Sequence, residues 1–262
     1  MSDPDALALR AARAGAERAH DLFRRDLAVE TKSGKTDVVT RADREAQAAV
    51  AAVVDDADPD ATLVGEEAAA AKSVPETGRA WVVDPIDGTH NYVRGGRCFT
   101  TSVCLVADGE PVAAANVLPA MDDTYRTVDG GVALNGTRVT TSDRTDPERA
   151  IVCPTIWWPM DRRDEYARAT RAIVERFGDL KRPGSAQAAL GRLAAGELDG
   201  VITNVETNPW DTIAGVHLVR EAGGRVTDLD GDRWTHDARG LVASNGPLHD
   251  AVLDAARSID AR

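Results

Sequence analysis

The sequence predicts a mixed α+β/α/β chain in two halves, an antiparallel meander first and a mixed sheet with helices second. Three observations predict it. Apolar residues recur at helical spacing over residues 5–29 and 40–54. Strand-like runs over 99–107, 111–118, 122–128 and 131–140 are separated by Asp-Gly, Asp-Asp and Asn-Gly turn signals. Beyond about residue 145, strand and helix patterns alternate.

In chain order, the first helix has Asp3 or Asp5 as its cap. Residues 30–39 hold Gly34, Lys32 and Lys35 and read as a loop or hairpin. The second helix carries Ala49, Val50, Val53 and Val54 on its apolar side. Residues 61–65 form a short strand stopped by Gly65, and 68–79 a polar, Ala-rich connection. Ala80-Trp81-Val82-Val83 is a buried strand that ends at Asp84-Pro85, where a turn begins. After the meander come a strand at 151–153, helices at 162–177 and 185–196, and a strand at 199–203. A helix at 210–222 follows, then strands near 225–228 and 241–244 and a final helix at 247–259. With no repeat and no low-complexity linker, residues 1–262 read as one functional unit of two lobes, 1–145 and 146–262.

Composition narrows the function. A net charge of −12 argues against non-specific nucleic-acid binding, which needs clustered Lys and Arg. It leaves room for an anionic substrate, because a bound metal inverts the local field. Asp outnumbers Glu 30 to 13 and Arg outnumbers Lys 27 to 4, a bias shared by GC-rich genomes and by salt-loving hosts; the Asp excess favours a halophile. Cys98, Cys104 and Cys153 show no C-x-x-C spacing and read as reduced, buried thiols of a cytoplasmic protein. The first residues lack the basic start and apolar run of a signal peptide, and no stretch of about 20 apolar residues is present to span a membrane.

The informative segment is Trp81 to Tyr92, with Asp84-Pro85-Ile86-Asp87-Gly88-Thr89 at its centre. A buried strand delivers Asp84 to a turn, and two carboxylates three residues apart converge there. They either share a hard cation, magnesium, manganese or calcium, or simply mark a turn. Three other segments carry acids in comparable places. Gly65-Glu66-Glu67 follows a strand, and Trp210-Asp211-Thr212-Ile213-Ala214-Gly215 opens a helix. Asp37-Val38-Val39-Thr40-Arg41-Ala42-Asp43 precedes one, where Thr40 and Asp43 also fit a capping box. Each of the three has a plain structural explanation when taken alone.

Together, in this order and at these separations, the four segments resemble the inositol monophosphatase family, within the group that includes fructose-1,6-bisphosphatases and adenosine bisphosphate phosphatases. The resemblance covers nearly the whole chain and extends to Asn135-Gly136, Gly184-Ser185-Ala186 and Asn245-Gly246-Pro247. It implies a layered αβαβα sandwich, commonly a homodimer, and a lithium-sensitive phosphatase with two to three magnesium ions, manganese substituting. It implies that Glu66, Asp84 and the Ile86 carbonyl hold one ion, that Asp84, Asp87 and Asp211 hold a second, and that Glu66 helps a third. Thr89 and Asp43 would orient the attacking water, the backbone N–H groups of Gly88, Thr89 and His90 would face the phosphate, and Asp87 would also meet the substrate. Gly184, Ser185 and Ala186 would meet the substrate, and Lys32 sits where the family carries a lysine on a closing loop.

Two departures bear on the substrate. His90 stands where the family commonly has Thr or Ser, and reads better as a neutral hydrogen-bonding side chain than as a phosphate contact. Asn204 stands where inositol-specific members carry a Glu seven residues before the motif Asp, and Glu206 is displaced by two. An Asn still hydrogen-bonds a polyol. The expected activity is therefore hydrolysis of a small sugar or polyol phosphate. Fructose 1,6-bisphosphate and 3′-phosphoadenosine 5′-phosphate are alternatives, and a regulatory binding protein that keeps the fold is the reading from another class.

Overall fold

The computed structural model describes residues 3–25, 29–31, 38–67 and 70–260. Lys32, Lys35 and Asp37 lie outside the described residues. Helix α1 (Pro4–Leu22) starts at Asp3, whose carboxylate accepts the Asp5 N–H at 3.1 Å. It stops at Leu22 rather than at residue 29, because Phe23 is extended and Arg24 takes a left-handed φ of 58°. Strands β1 (Val29–Thr31) and β2 (Val38–Thr40) pair antiparallel, the hairpin alternative for this segment. Helix α2 (Arg41–Ala57) lies on α1, and Gly15 permits the approach: a Cβ there would meet Val50 Cγ2 at 2.6 Å.

The first sheet contains β3 (Thr62–Gly65), β4 (Arg79–Asp87), β5 (Thr100–Ala107), β6 (Glu110–Leu118), β7 (Asp123–Val128), β8 (Gly131–Leu134) and β9 (Thr137–Val139). They lie side by side in chain order, β3 parallel to β4 and the rest antiparallel. This is the expected meander, widened by β3 and β4. A short helix, α3 (Thr89–Val93), leaves the end of β4.

The second sheet contains β10 (Ile151–Pro154), β11 (Asp179–Leu180), β12 (Gly200–Glu206), β13 (Arg225–Thr227) and β14 (Arg239–Ser244), in the order β11-β10-β12-β14-β13. Its β10 pairs parallel with β11 and β12, and β14 pairs antiparallel with β12 and β13. Helices α4 (Arg163–Arg176), α5 (Ala186–Ala194), α6 (Pro209–Glu221) and α7 (His249–Arg257) complete this half.

The layers run α1/α2, first sheet, α5/α6, second sheet, α4/α7, so the expected αβαβα sandwich is present. Helix α6 shows why it holds together. Trp210, Ile213, Ala214, Val216, Leu218 and Val219 are buried, and so are Thr212 and His217 between them. A helix without a solvated face must be covered on both sides. Val82 and Tyr125 from one sheet, Cys153 from the other and Leu190 and Ile213 from the middle helices therefore share one core.

One expectation is corrected. The strand does not end at Asp84-Pro85 but runs through Asp87 with a β-bulge: Asp84 faces Ser102 while Asp87 faces Thr100, so β4 carries one extra residue there. Pro85 has no N–H to donate and is tolerated at such a break. The Thr101 hydroxyl donates to the Pro85 carbonyl at 2.7 Å. A second bulge lies in β12, where Thr203 faces Leu241 and Glu206 faces Arg239. Among the described residues, no helix is long and apolar enough to cross a membrane.

Candidate active site

In a regular strand, residues three apart point to opposite faces. The β4 bulge removes that constraint for Asp84 and Asp87. Asp84 is buried, and its Oδ1 accepts the Ile86 N–H at 3.1 Å. Asp87 turns toward α5, where its Oδ2 accepts the Ser185 hydroxyl at 2.5 Å and the Gln187 N–H at 2.6 Å. Ser185 is also the N-cap of α5, its oxygen accepting the Ala188 N–H at 3.1 Å. One hydroxyl thus ties the first sheet to the middle layer.

Gly88 makes the turn that follows. Its φ is 94°, and a Cβ would meet the Cys98 and Gly184 carbonyl oxygens at 3.1 Å each, so only glycine fits. Helix α3 then begins at Thr89, and as at any helix start the first N–H groups have no intrahelical acceptor. The Thr89 hydroxyl lies 3.0 Å from the Ile86 carbonyl and 3.4 Å from Asp43 Oδ1. Asn91, from the same motif, donates through Nδ2 to the Cys98 carbonyl at 2.7 Å and the Pro183 carbonyl at 2.8 Å, which anchors the Gly184 loop.

One ligand atom from each of Asp43, Glu66 and Glu67 lies within 4.8 Å of the others, and this is the metal-competent group among the described residues. Sequence reasoning did not single out Glu67. It is buried, and the Gln47 side chain accepts its backbone N–H at 2.9 Å. The Lys72 ammonium donates to the carbonyls of Gly65, Glu66 and Glu67 at 2.8, 2.8 and 3.0 Å and sits 5.4 Å from the Trp210 ring. It therefore links the Glu66 turn to the start of α6. Asp84, Asp87 and Asp211 are not drawn into so tight a group, because two of them are held by local donors. Asp211 Oδ2 accepts the backbone N–H and the side-chain amide of Asn208 at 3.0 Å each, closing a capping box on α6.

The acids nonetheless feel one another strongly. Burial pushes Asp84 well above the usual carboxylate range, reinforced by Glu66, Asp87, Asp211 and Asp43. Burial raises Asp87 to about 6 against the hydrogen bonds from Ser185 and Gln187. Burial, then Asp87, raises Asp211 to about 7. No ammonium or guanidinium is among the groups acting most strongly on these three carboxylates. Buried oxygen donors that repel one another and lack a fixed cation are the donor set a hard divalent ion requires.

A cavity of about 460 Å³ opens over these groups. Of the expected site residues, Glu66, Asp87, Gly88, Thr89, His90, Gly184, Ser185, Ala186 and Asp211 line it. Asp84, Ile86 and Asp43 lie outside that lining and are buried. Lys32 is outside the described residues. Asn204 requires a correction. It is fully buried, accepts the Trp158 indole N–H at 2.7 Å, and donates to Glu165 at 2.5 Å and Asp260 at 2.6 Å, with no part in the cavity. Glu206 lines the cavity instead. The β12 bulge explains the exchange, because one extra residue between Thr203 and Glu206 upsets a count taken back from Asp211. The cavity also has a rim that sequence reasoning missed, formed by Arg94, Trp157 and Arg182.

The comparisons with known proteins give the family. The inositol monophosphatase family matches residues 2–261. The chain belongs to that family. It is 33% identical over 231 residues to a Thermotoga maritima protein named fructose-1,6-bisphosphatase/inositol-1-monophosphatase, covering 86% of this chain and 84% of that one. It is 31% identical over 253 residues to a Pseudomonas aeruginosa protein named Nus factor SuhB, covering 94% and 93%. The solved structure of a Thermotoga maritima IMPase superposes with a TM-score of 0.86 at 30% identity, covering 95% of this chain and 94% of that one.

Proposed function

We propose that this member of the inositol monophosphatase family is a magnesium-dependent phosphomonoesterase acting on a small sugar or polyol phosphate. The observation that carries the proposal is the convergence of Glu66, Asp84, Asp87 and Asp211 beneath one cavity, with the three aspartates raised by burial and by their acidic neighbours. Glu66, Asp84 and the Ile86 carbonyl would hold one ion, and Asp84, Asp87 and Asp211 a second. Asp43, Glu66 and Glu67 offer a third place, which Glu67 strengthens beyond expectation. When bound, magnesium or manganese would neutralise the phosphate charge and make water a better nucleophile near neutral pH.

The chain's own groups divide the remaining work. Asp43 accepts from Thr89, and the pair would orient the attacking water and take its proton. Gly88, Thr89 and His90 line the cavity, and their backbone N–H groups would favour a dianionic ester there. Ser185 and Gln187 hold Asp87 in one rotamer. Glu206, at the open side of the cavity, would accept from a polyol hydroxyl.

Phosphate release from inositol 1-phosphate, fructose 1,6-bisphosphate and 3′-phosphoadenosine 5′-phosphate, each with magnesium and with EDTA, tests the proposal. Release from at least one, abolished by EDTA, is expected, and no release from any of the three rejects it. The similarity to a relative named as a Nus factor supports a second reading, a regulatory binding protein on the same fold. The presence of every expected carboxylate and of Thr89 favours catalysis over it.

A further inference from the structure

In an extended strand, successive carbonyls and successive side chains point to opposite sides. The chain leaving β3 breaks that rule twice. The carbonyls of Gly65, Glu66 and Glu67 all accept from one group, the Lys72 ammonium, at 2.8, 2.8 and 3.0 Å. The carboxylates of Glu66 and Glu67, adjacent in sequence, both come within 4.8 Å of an Asp43 oxygen. The backbone has therefore curled, with its carbonyls gathered on Lys72 and its acids gathered with Asp43.

Three carbonyl oxygens that face one point repel one another, and so do two neighbouring carboxylates. Gln47, one turn of α2 beyond Asp43, holds the curl from one side. Its Oε1 accepts the Glu67 N–H at 2.9 Å, and its Nε2 donates to the Glu67 carbonyl at 3.4 Å. On the other side the chain folds back on β3. The Ala71 N–H donates to the Leu63 carbonyl at 2.9 Å and the Gly65 N–H to the Ala71 carbonyl at 3.1 Å, which returns Lys72 to the end of the strand. An ammonium carries three protons around a compact centre and suits three convergent oxygens, whereas a guanidinium is a flat fork. The chain holds 27 Arg and 4 Lys, so a lysine here runs against its own bias. The same ammonium lies 5.4 Å from the ring of buried Trp210, the residue before Asp211.

We propose that Lys72 is a positioning residue of the metal site: its ammonium stands where a monovalent cation would sit among the Gly65–Glu67 carbonyls, and it holds the curl that turns Glu66 and Glu67 toward Asp43. This rests on the reading of the acids as magnesium ligands. Lys72 acts through Glu66 and Glu67, and its charge and its position work in opposite directions. A nearby positive charge repels a divalent ion, so charge alone makes removal of the ammonium tighten magnesium binding. An anchor that orients two ligands has the reverse effect, and loss of such an outer partner weakens metal binding by about 10- to 100-fold. The inference requires the second effect to win.

Calorimetric titration of magnesium into the wild type, Lys72→Met and Lys72→Arg decides it. Lys72→Met keeps an unbranched apolar stem and loses the ammonium. Its magnesium Kd should rise about 10- to 100-fold, with kcat at saturating magnesium close to that of the wild type, and Lys72→Arg should fall between. Lys72→Ala should regain tight magnesium binding in ethylammonium chloride but not in tetramethylammonium chloride at equal ionic strength, because only the first cation has protons to donate to the carbonyls. Unchanged or tighter magnesium binding by Lys72→Met, or a Lys72→Ala response that is the same in the two salts, overturns the inference and leaves the metal reading standing. A wild type that binds no magnesium overturns the metal reading and this inference with it.

Discussion

The Thr89 hydroxyl lies 3.4 Å from Asp43 Oδ1, joining the start of α3 to the first turn of α2. The same hydroxyl lies 3.0 Å from the Ile86 carbonyl, and it has one proton for two acceptors. A carboxylate is the stronger acceptor, so a small rotation suffices to commit the proton to Asp43 and leave the oxygen lone pairs for water. Thr89→Ala and Asp43→Asn are each expected to lower kcat by about 10²- to 10⁴-fold, the range of a positioned acid–base group. Thr89→Ser should keep most of the rate, because it keeps the hydroxyl. Steady-state kinetics at saturating magnesium check this, and wild-type kcat in Thr89→Ala would sink the pairing.

Metal removal should weaken the fold in a pH-dependent way, and the sign follows from the raised carboxylates. Asp87 moves up to about 6 and Asp211 to about 7, above the ordinary range of an aspartate, and Asp84 rises with them. Between about pH 4 and 7 the unfolded chain loses these protons before the folded one does. The stability of the chelated protein should therefore fall as pH rises through that window and level off above it. Magnesium should restore more stability at pH 8 than at pH 5. Asp84→Asn removes one buried charge, so it should raise the melting temperature in EDTA at pH 8 while lowering phosphate release by about 10³-fold or more. Thermal melts at both pH values, with EDTA and with magnesium, read both effects.

Much of this was legible in the sequence, and the exceptions share a cause. The meander was visible because Asp108-Gly109 and Asn135-Gly136 punctuate it, and these positions take the left-handed backbone such turns need. The α6 segment was visible because Pro209 opens it. Nine of the expected site residues line one cavity. What was hidden depends on bulges and on contacts across layers. The extra residue in β4 made Asp84-Pro85 look like a strand end, and the one in β12 put Asn204 where Glu206 belongs. A bulge has no composition of its own; it is fixed by the pairing partner. Arg182 and Trp157 meet only because β10 and β11 are adjacent, and no local pattern announces that.

His249 offers a test of the fold away from the active site. It is buried, with Nδ1 2.9 Å from the Ser244 hydroxyl and Nε2 3.0 Å from the Thr227 hydroxyl. Burial first, then Arg225, lowers its pKa to about 4. Its folded value is depressed, so the unfolded chain takes up the proton first as pH falls below about 6.5. The contribution of His249 is thus fully present above that pH and is lost progressively down to about 4, by up to about 3 kcal/mol. In His249→Gln this acid limb should vanish. Urea titrations of both proteins from pH 7 to 4.5 should show the wild type losing stability faster, and parallel curves would refute the assignment.

The exchange of Asn204 for Glu206 makes opposite predictions for two substitutions. Asn204→Glu restores the residue that inositol-specific relatives carry at that count, and on sequence alone it should improve inositol phosphate turnover. The structure predicts damage instead. The Asn204 amide donates to Glu165 and Asp260, and a glutamate would keep the Trp158 N–H but replace that amide with a third carboxylate facing the other two. Breaking a buried charge arrangement in this way is destabilising by about 3–5 kcal/mol, or a loss of about 10 °C in Tm for a chain of this size. Glu206→Gln should leave the melting temperature near that of the wild type, because Glu206 is exposed, yet raise KM by roughly 10-fold if its carboxylate accepts from a substrate hydroxyl. Melting curves and KM for inositol 1-phosphate on the two variants decide the matter. A stable Asn204→Glu with lowered KM would return the polyol contact to position 204 and remove Glu206 from the site.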